Sequence, residues 1–531
     1  PGTHIDYNVE EVTYEQFVNK ELILFSHADN ERSIPHFMDG LKPSQRKVLF
    51  ACFKRNLKQE IKVAQLAGYV SEHSAYHHGE ASLTQTIIGM AQTFVGSNNI
   101  NLLSPCGQFG TRLMGGKDAA SPRYVFTRLE NITRCIYHPD DDPLLDYQDD
   151  DGQSIEPTYY IPVIPMLLVN GSDGIGTGWS STVPCYSPRD IINNIRKMIK
   201  NEASEPLTPW YRGFTGEIEV KAGSTNQYSV KGKLEPRNDA SVVITELPVG
   251  KWTTDYKQML ESWLIGAAPA AGAAGGGDGN KVAEVPFIKD FKENHTDTTV
   301  KFTVSIAPEK FPELYHAPGG LQKKFKLDGS MATSNMHLFD HNQMIRKFDN
   351  PEDILSTFFD LRLTYYEKRK SHLLNKLTEE WEKLDNKVRF ILAVVDNKLK
   401  VSNRKKVELL ADLSKQGFKT FGAEGGDKRS KKGEAGDSED DGENSGDDSE
   451  SEDTSKIGTG ALERGYDYLL SMKIWSLTME RVKSLKTQAA SKREELDELA
   501  GKSPEDLYLE DLDALEEALN MMDEEMASAE R

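Results

Sequence analysis

The sequence Ala119-Ala120-Ser121-Pro122-Arg123-Tyr124-Val125-Phe126 follows a glycine-rich run from Gly107 to Lys117 and places a tyrosine hydroxyl next to a guanidinium. A phenol with a pKa of about 10 is a poor nucleophile. Attack on a phosphodiester builds negative charge on the non-bridging oxygens, and an adjacent cation stabilises that charge. Most isolated Arg-Tyr pairs carry no function, so the surrounding motifs decide what this one means.

Three further motifs flank this pair in order. Residues 38–50 read MDGLKPSQRKVLF, residues 76–80 read YHHGE, and residues 171–179 read GSDGIGTGW. Residues 171–179 lack the Gly-Lys-Ser/Thr ending of a P-loop and the glycine spacing of a dinucleotide fingerprint. We therefore reject a nucleotide-binding interpretation of this motif. The ordered set resembles the breakage-reunion region of type IIA DNA topoisomerases, most of all the eukaryotic topoisomerase II family. The resemblance extends over nearly the whole chain.

The resemblance implies a set of site residues. Tyr124 is expected to be the nucleophile that forms a transient phosphotyrosine with a 5′ DNA end, and Arg123 to stabilise the scissile phosphate. His78 is expected to donate a second hydrogen bond, with His77 as an open alternative. Ile175 matches the apolar wedge that enters a base step and bends the duplex. A buried isoleucine in a β-turn is the alternative.

Five cations lie in or beside these motifs and are predicted to contact or support the DNA backbone. Phosphate contacts position a duplex without specifying its sequence. We expect one or two of the five to be bystanders on the surface. They are Lys42, Arg46, Lys47, Arg112 and Lys117.

The net charge of −20 argues against a polyanionic partner only if it is spread evenly. Much of the acid lies in residues 437–453 and 494–530, whereas the N-terminal part holds enough Lys and Arg to form one basic face. The segment 423–456 has too little apolar surface to order, so we predict that it is disordered, and its Ser-Glu-Asp patches are candidate phosphorylation sites.

The composition favours a multidomain protein outside the membrane. A chain of 531 residues is too long for one core. The longest apolar stretch, residues 161–169, contains two prolines and is too short to span a bilayer. Four widely spaced cysteines indicate a reducing compartment and buried or inert thiols.

The predicted fold class is multidomain α+β. Residues 1–186 alternate short helices, including Glu80 to Val95, with glycine-rich turns, and the resemblance implies a winged-helix DNA-cleavage domain. Strand patterns at 216–221, 240–247 and 298–306 predict a mixed α/β domain over residues 187–350, and the resemblance implies that this is the tower domain. The Ala/Gly-rich segment 266–280 within it reads as a loop or linker.

Residues 351–531 are predicted to be helical. Apolar residues spaced by three or four predict one long helix at 351–401 and another at 478–499, which can run back along the first as an antiparallel coiled coil. A helix at 504–522 follows. The resemblance implies a C-gate dimerisation domain, and an ordinary helical bundle is the alternative.

The resemblance also implies Mg²⁺ held by an upstream TOPRIM domain and ATP held by a further upstream domain. Neither pattern occurs here, so this chain is expected to hold no metal, and the acidic triplets at 140–142 and 149–151 are predicted to be solvated loops. Double-stranded DNA, a second copy of the chain and those upstream domains are the expected partners, in the nucleus.

The resemblance implies the DNA-cleavage and religation core of an ATP-dependent type II DNA topoisomerase. A non-catalytic, dimeric DNA-binding coiled-coil chromatin protein is the alternative, because it too would bind duplex and dimerise. A tyrosine recombinase or type IB enzyme is disfavoured because Tyr124 lies too early in the chain.

Overall fold

The computed structural model describes residues 4–5, 8–238, 240–265, 286–401, 405–421, 464–472 and 478–529. Contacts divide the chain into two compact units, Pro1–Tyr366 with Glu505–Arg531, and Glu367–Pro504. The predicted disordered segment 423–456 and the predicted linker 266–280 lie outside the described residues. None of the described helices combines the length and the apolar character needed to cross a membrane.

The described helices are named here in chain order. They are α1 Tyr14–Phe17, α2 Ile23–Ser33, α3 Pro43–Lys54, α4 Val63–His73, α5 Glu80–Ala91, α6 Thr133–Ile136, α7 Met166–Asn170, α8 Pro188–Ile199, α9 Thr253–Ser262, α10 Phe311–His316, α11 Gly320–Lys324, α12 Pro351–Val395, α13 Lys406–Lys415, α14 (464–470), α15 Met479–Gly501 and α16 Pro504–Ala529.

The described strands are all antiparallel to their partners and form small sheets. They are β1 Ile61–Lys62, β2 Phe126–Thr127, β3 Tyr147–Asp150, β4 Gln153–Pro157, β5 Ser172–Ile175, β6 Ser180–Val183, β7 Glu217–Val220, β8 Gln227–Lys231, β9 Lys233–Asn238, β10 Ser241–Glu246, β11 Ile288–Glu293, β12 Phe302–Ile306, β13 Asp328–Ala332, β14 Met336–Phe339 and β15 Ile345–Phe348.

Helices α3, α4 and α5 pack pairwise beside the β1–β2 ribbon. At the start of α3, Pro43 occupies the first turn, and the Gln45 side chain accepts from the Lys42 amide at 2.9 Å. Helix α5 ends before the predicted Val95, because the Asn98 side chain donates to the carbonyl oxygens of Gly89 and Gln92 and caps the helix there.

The predicted strands of the central region are present, although β12 begins at Phe302 rather than at residue 298. A four-stranded sheet in the order β11-β12-β10-β9 packs its inward face against α9 and α11. Alternate positions Val242 and Ile244 of β10 are fully buried there, as a sheet with one covered face requires. A separate three-stranded sheet has the order β13-β8-β7.

Within the second unit, α12 and α15 run antiparallel. Val482 and Leu485 of α15 pack with Val388 and Ile391 of α12. Further along, Lys492 Nζ lies 3.3 Å from the Glu380 carboxylate, and the Lys370 ammonium donates to the Lys502 carbonyl at 2.6 Å. Higher numbers on one helix meet lower numbers on the other throughout. The predicted reversal of direction is therefore present.

The C-terminal helix α16 belongs to the first unit, although its sequence predicted that it groups with residues 351–531. Its buried apolar stripe enters the core of the first unit, and Arg196 of α8 contacts the carboxylates of Asp513 at 2.6 Å and Glu516 at 2.7 Å. Sequence periodicity gives the stripe but not the surface that covers it. The stripe comprises Tyr508, Leu512, Leu515 and Leu519.

Candidate functional site

Tyr124 lies in a tight turn immediately before β2. Its amide donates to the Ser121 carbonyl at 2.9 Å, and the first amides of α4 clamp the turn from the side: Val63 N–H donates to Val125 O at 3.0 Å and Ala64 N–H to Pro122 O at 3.1 Å. The Val125 side chain is buried, whereas that of Tyr124 is 77% exposed. The backbone is thus held on both sides of an exposed phenol.

The Arg123 side chain is also exposed. Within the part of the chain that the structure describes, neither Arg123 nor Tyr124 makes a side-chain hydrogen bond or ion pair. The Arg123 guanidinium and the Tyr124 phenol are therefore both accessible to a ligand. An exposed guanidinium such as that of Arg123 can bind a phosphate through charge-assisted hydrogen bonds.

The glycine-rich loop is fixed against this turn, since the Ala120 amide donates to Gln108 O at 2.9 Å. At Gly115, φ is +63° and an added Cβ would lie 2.3 Å from the Trp252 ring, so only glycine fits. Lys117 projects from this loop into solvent. A surface cation therefore stands in the segment that leads to Tyr124.

Both histidines of the YHHGE motif are exposed. His77 Nε2 lies 3.6 Å from an Asp150 carboxylate oxygen, and the His78 ring packs edge-on against Tyr76 with centroids 5.4 Å apart. Within the described residues no side-chain hydrogen bond joins either imidazole to Tyr124. The choice between His77 and His78 therefore stays a prediction.

The structure corrects the predicted DNA contact for Arg46, which is buried. Its Nε and Nη2 donate to the two Asp39 carboxylate oxygens at 2.8 and 3.1 Å, and Nη2 also donates to Leu41 O at 2.9 Å. A guanidinium whose donors are taken up inside the core cannot reach a phosphate at the surface. Arg46 instead fixes the segment before α3.

Arg112 is corrected in the same way. Its Nη2 lies 2.5 Å from Glu246 Oε1, and both side chains are buried. The other Glu246 oxygen accepts from the Thr215 amide and hydroxyl at 3.2 and 3.0 Å. Arg112 therefore anchors the glycine-rich loop to β10, and its buried side chain does not face solvent.

Lys42 and Lys47 are both partly buried. Lys47 Nζ donates to Glu156 Oε2 at 2.9 Å and to Ser74 O at 2.5 Å, which neutralises its charge inside the protein. Lys42 Nζ donates to Asp173 O at 2.7 Å, and partial burial lowers the pKa of its ammonium. Of the five predicted cations, Lys117 is the one that the structure leaves exposed.

Ile175 ends strand β5, and residues 176–179 connect it to β6. Its side chain is 85% exposed, which excludes the alternative of a buried turn residue. Because it is exposed to solvent, Ile175 does not contribute to the hydrophobic core of the first unit. Its exposed side chain is accessible to another molecule.

Two residues of helix α2 contact this hairpin, and neither of them was predicted from the sequence. The Thr177 hydroxyl donates to Asp29 Oδ2 at 2.9 Å, and Asn30 Nδ2 donates to Thr177 O at 3.1 Å. Some 147 residues separate the two segments, so spacing could not reveal the contact. The one weak sequence signal is an Asp-Asn pair inside a helix, where both residues have low propensity.

The acidic triplet at 140–142 is not a solvated loop, contrary to the prediction. Asp141 is buried and accepts from Arg362 Nη2 at 2.8 Å, and Asp142 pairs with Arg134 at 2.7 Å. Among the described residues no group of three or more His, Cys, Asp or Glu side chains could hold a metal ion.

Comparison with known proteins gives the family. The family model for the A subunits of DNA gyrase/topoisomerase IV matches residues 32–513. DNA topoisomerase 2 of Penicillium chrysogenum is 46% identical over 532 residues, which cover 100% of this chain and 32% of that protein. DNA topoisomerase 2-beta of Mus musculus is 47% identical over 515 residues, 96% of this chain and 30% of that protein. The chain thus spans about a third of the length of these relatives.

A solved structure is similar over the whole chain. It is described as the DNA-binding, cleavage and re-ligation domain of Plasmodium falciparum topoisomerase II, and it matches with a TM-score of 0.82 at 43% identity. The match covers 100% of this chain and 67% of that one. With a family model over most of its length and relatives at this identity, the chain belongs to the family of DNA gyrase/topoisomerase IV A subunits.

Proposed function

We propose that this chain is the DNA-cleavage and religation core of a type II DNA topoisomerase, which passes one duplex through a transient double-strand break in another. The observation that carries the proposal is the exposed Tyr124 next to an exposed Arg123 on a turn whose backbone is fixed by β2 and α4. Names of the relatives and of the solved structure support it.

In this reaction Tyr124 Oη attacks the scissile phosphorus and loses its proton, while the bond from phosphorus to the 3′ oxygen breaks. The 3′ oxygen leaves as a hydroxyl after gaining a proton, and the 5′ phosphate remains esterified to the tyrosine. Arg123 stabilises the charge on the non-bridging oxygens. His78, or its neighbour His77, supplies a further donor. Religation is the reverse transesterification and needs no outside energy.

The DNA surface includes three parts. Helices α3 to α5 with the β1–β2 ribbon correspond to the winged helix that we infer for this unit. Lys117 supplies a phosphate contact beside the tyrosine. Ile175 is the wedge that enters a base step and bends the duplex, so that lost stacking is offset by wrapped contact.

The antiparallel helices α12 and α15 form the coiled coil that we propose leads to a C-gate. Two copies of the chain related by a two-fold axis would set one Tyr124 on each DNA strand. This symmetry accounts for a double-strand break and keeps the broken ends attached to one dimer.

Mg²⁺ and ATP are proposed to be held by TOPRIM and ATPase domains outside this chain, with the full protein acting in the nucleus. Mg²⁺ bound to the TOPRIM domain would offset negative charge on the scissile phosphate. The chain alone is expected to bind duplex and dimerise but to cleave little. Efficient Mg²⁺-dependent cleavage by this chain without the other domains would refute that division of labour.

The decisive experiment combines this chain with a separately expressed metal-binding half, Mg²⁺ and labelled duplex, traps with denaturant and maps the DNA-linked peptide by mass. An adduct on Tyr124 that is lost in Tyr124→Phe and kept in Tyr14→Phe supports the proposal, since Tyr14 is 91% exposed and lies elsewhere. If the halves associate and bind duplex without any adduct, the chromatin-protein alternative gains instead.

A further inference from the structure

The hairpin that carries Ile175 is fastened to helix α2 at its tip. Thr177, two residues beyond Ile175, uses its hydroxyl to donate to Asp29 Oδ2 at 2.9 Å and its carbonyl to accept from Asn30 Nδ2 at 3.1 Å. Donation from Arg32 and from the Thr177 hydroxyl lowers the pKa of Asp29, so the acceptor is an anion. The turn is therefore tied by one charge-assisted and one neutral hydrogen bond.

Close packing adds to these bonds. Asn30 is buried, and a Cβ at Gly176 would lie 2.2 Å from its Oδ1. A Cβ at Gly174 would lie 2.3 Å from the Ser33 carbonyl oxygen. The hairpin thus lies with its backbone directly on α2, and both glycines are required by that approach.

At the base of the same hairpin, Lys42 Nζ donates to the Asp173 carbonyl at 2.7 Å. Ile175 therefore stands between two fastened points, at residues 173 and 177, while its own side chain is 85% exposed. A side chain that is free at its end but fixed at its backbone meets a base step in one orientation.

We propose that Asp29 and Asn30 are positioning residues for DNA bending, which hold the Thr177 turn so that Ile175 enters the duplex instead of being pushed aside. The inference rests on the proposed wedge function of Ile175. Neither residue is expected to touch DNA in order to act. Their effect is on the fraction of bound DNA that is bent, because prying apart a stacked step needs a support that does not yield.

The test measures bending by energy transfer between dyes at the two ends of a duplex bound to the full chain, and binding affinity in parallel. Thr177→Val and Asn30→Ala each remove one fastening, while Thr177→Ser restores the hydroxyl. We expect the bent fraction to fall by about tenfold in the first two, as for loss of one hydrogen bond to a charged or buried partner, and to recover in Thr177→Ser.

A duplex with a short central gap separates positioning from general damage, because it bends without unstacking. Binding and bending of gapped DNA should be unchanged in Thr177→Val and Asn30→Ala. A matched control is Thr364→Val, which removes an exposed hydroxyl that donates to Asp360 O at 3.1 Å in α12, outside the proposed DNA surface, and should alter nothing. Equal loss on intact and gapped DNA would mean a merely structural role and would overturn the proposal.

Ile175→Ala distinguishes failure of the inference from failure of the proposed wedge. If Ile175→Ala leaves bending of intact duplex unchanged, the wedge assignment fails and the positioning role falls with it. If Ile175→Ala abolishes bending while Thr177→Val and Asn30→Ala do not lower it, the wedge stands and the positioning role of α2 is wrong.

Discussion

The burial of Arg46 yields a sharp prediction, because the same residue was expected from sequence to bind DNA. In Arg46→Met the side chain keeps its bulk but loses its charge, and the Asp39 carboxylate stays buried with backbone donors only, from Leu41 at 3.0 Å and Tyr160 at 2.9 Å. Breaking a buried ion pair by removing one partner costs about 3–5 kcal/mol. Because about 1.4 kcal/mol changes an equilibrium constant tenfold, this cost raises the equilibrium constant for local opening by more than about a hundredfold.

Hydrogen exchange measures this directly. The amides of Leu41 and Tyr160 donate to Asp39 and should lose protection by more than about a hundredfold in Arg46→Met, in line with the ion-pair cost. Lys117→Met is the matched control: an exposed lysine should change stability by less than about 0.5 kcal/mol. It should instead lower the salt slope of DNA binding by about one. Unchanged protection in Arg46→Met together with a lowered salt slope would refute the reasoning.

Three further predictions follow from burial and backbone geometry. Burial lowers the pKa of His36 to about 4, so between about pH 4 and about pH 6.5 the unfolded chain binds a proton at His36 that the folded chain does not. The free energy of unfolding should therefore decrease as the pH is lowered through that window, by up to roughly 3 kcal/mol. The denaturation midpoint of His36→Gln should not show this pH dependence. Gly115→Ala places a Cβ 2.3 Å from Trp252 at φ +63° and should lower the melting temperature, by more than Gly223→Ala does, where φ is +79° but no atom lies within 4 Å. Burial raises the pKa of Cys52 to about 12, so iodoacetamide at about pH 8, where the free thiol would partly ionise, should label the denatured chain and spare the native one, as read by peptide mass.

Local patterns predicted four helices and three strands by residue range, the helices at 80–95, 351–401, 478–499 and 504–522 and the strands at 216–221, 240–247 and 298–306. Alternation gave β10, and three-to-four spacing gave α12, although α12 ends at Val395 and not at residue 401. These features depend on neighbours within one element, which a single sequence contains.

The fate of individual charges was not predictable in this way. Glu156 is 109 residues from Lys47 and Glu246 is 134 residues from Arg112, so nothing local distinguished these buried cations from the exposed Lys117. The sequence motifs predicted which segments form the candidate site, but only the fold shows which of their side chains face outward. The same limit applies to Asp141, whose partner lies 221 residues away.

Within the first unit, Tyr366 and Tyr508 stack with ring centroids 4.5 Å apart, and the Tyr366 hydroxyl donates to Asp511 Oδ2 at 2.8 Å. The chain leaves the first unit after Tyr366 and re-enters it at Glu505, and Tyr366 is in contact with Tyr508 near the point of re-entry. Residues 367–504 are therefore an insertion whose two ends lie close together in the first unit. The length or sequence of residues 367–504 can therefore change, or a short turn can replace them, without a change in the packing of Tyr366 against Tyr508.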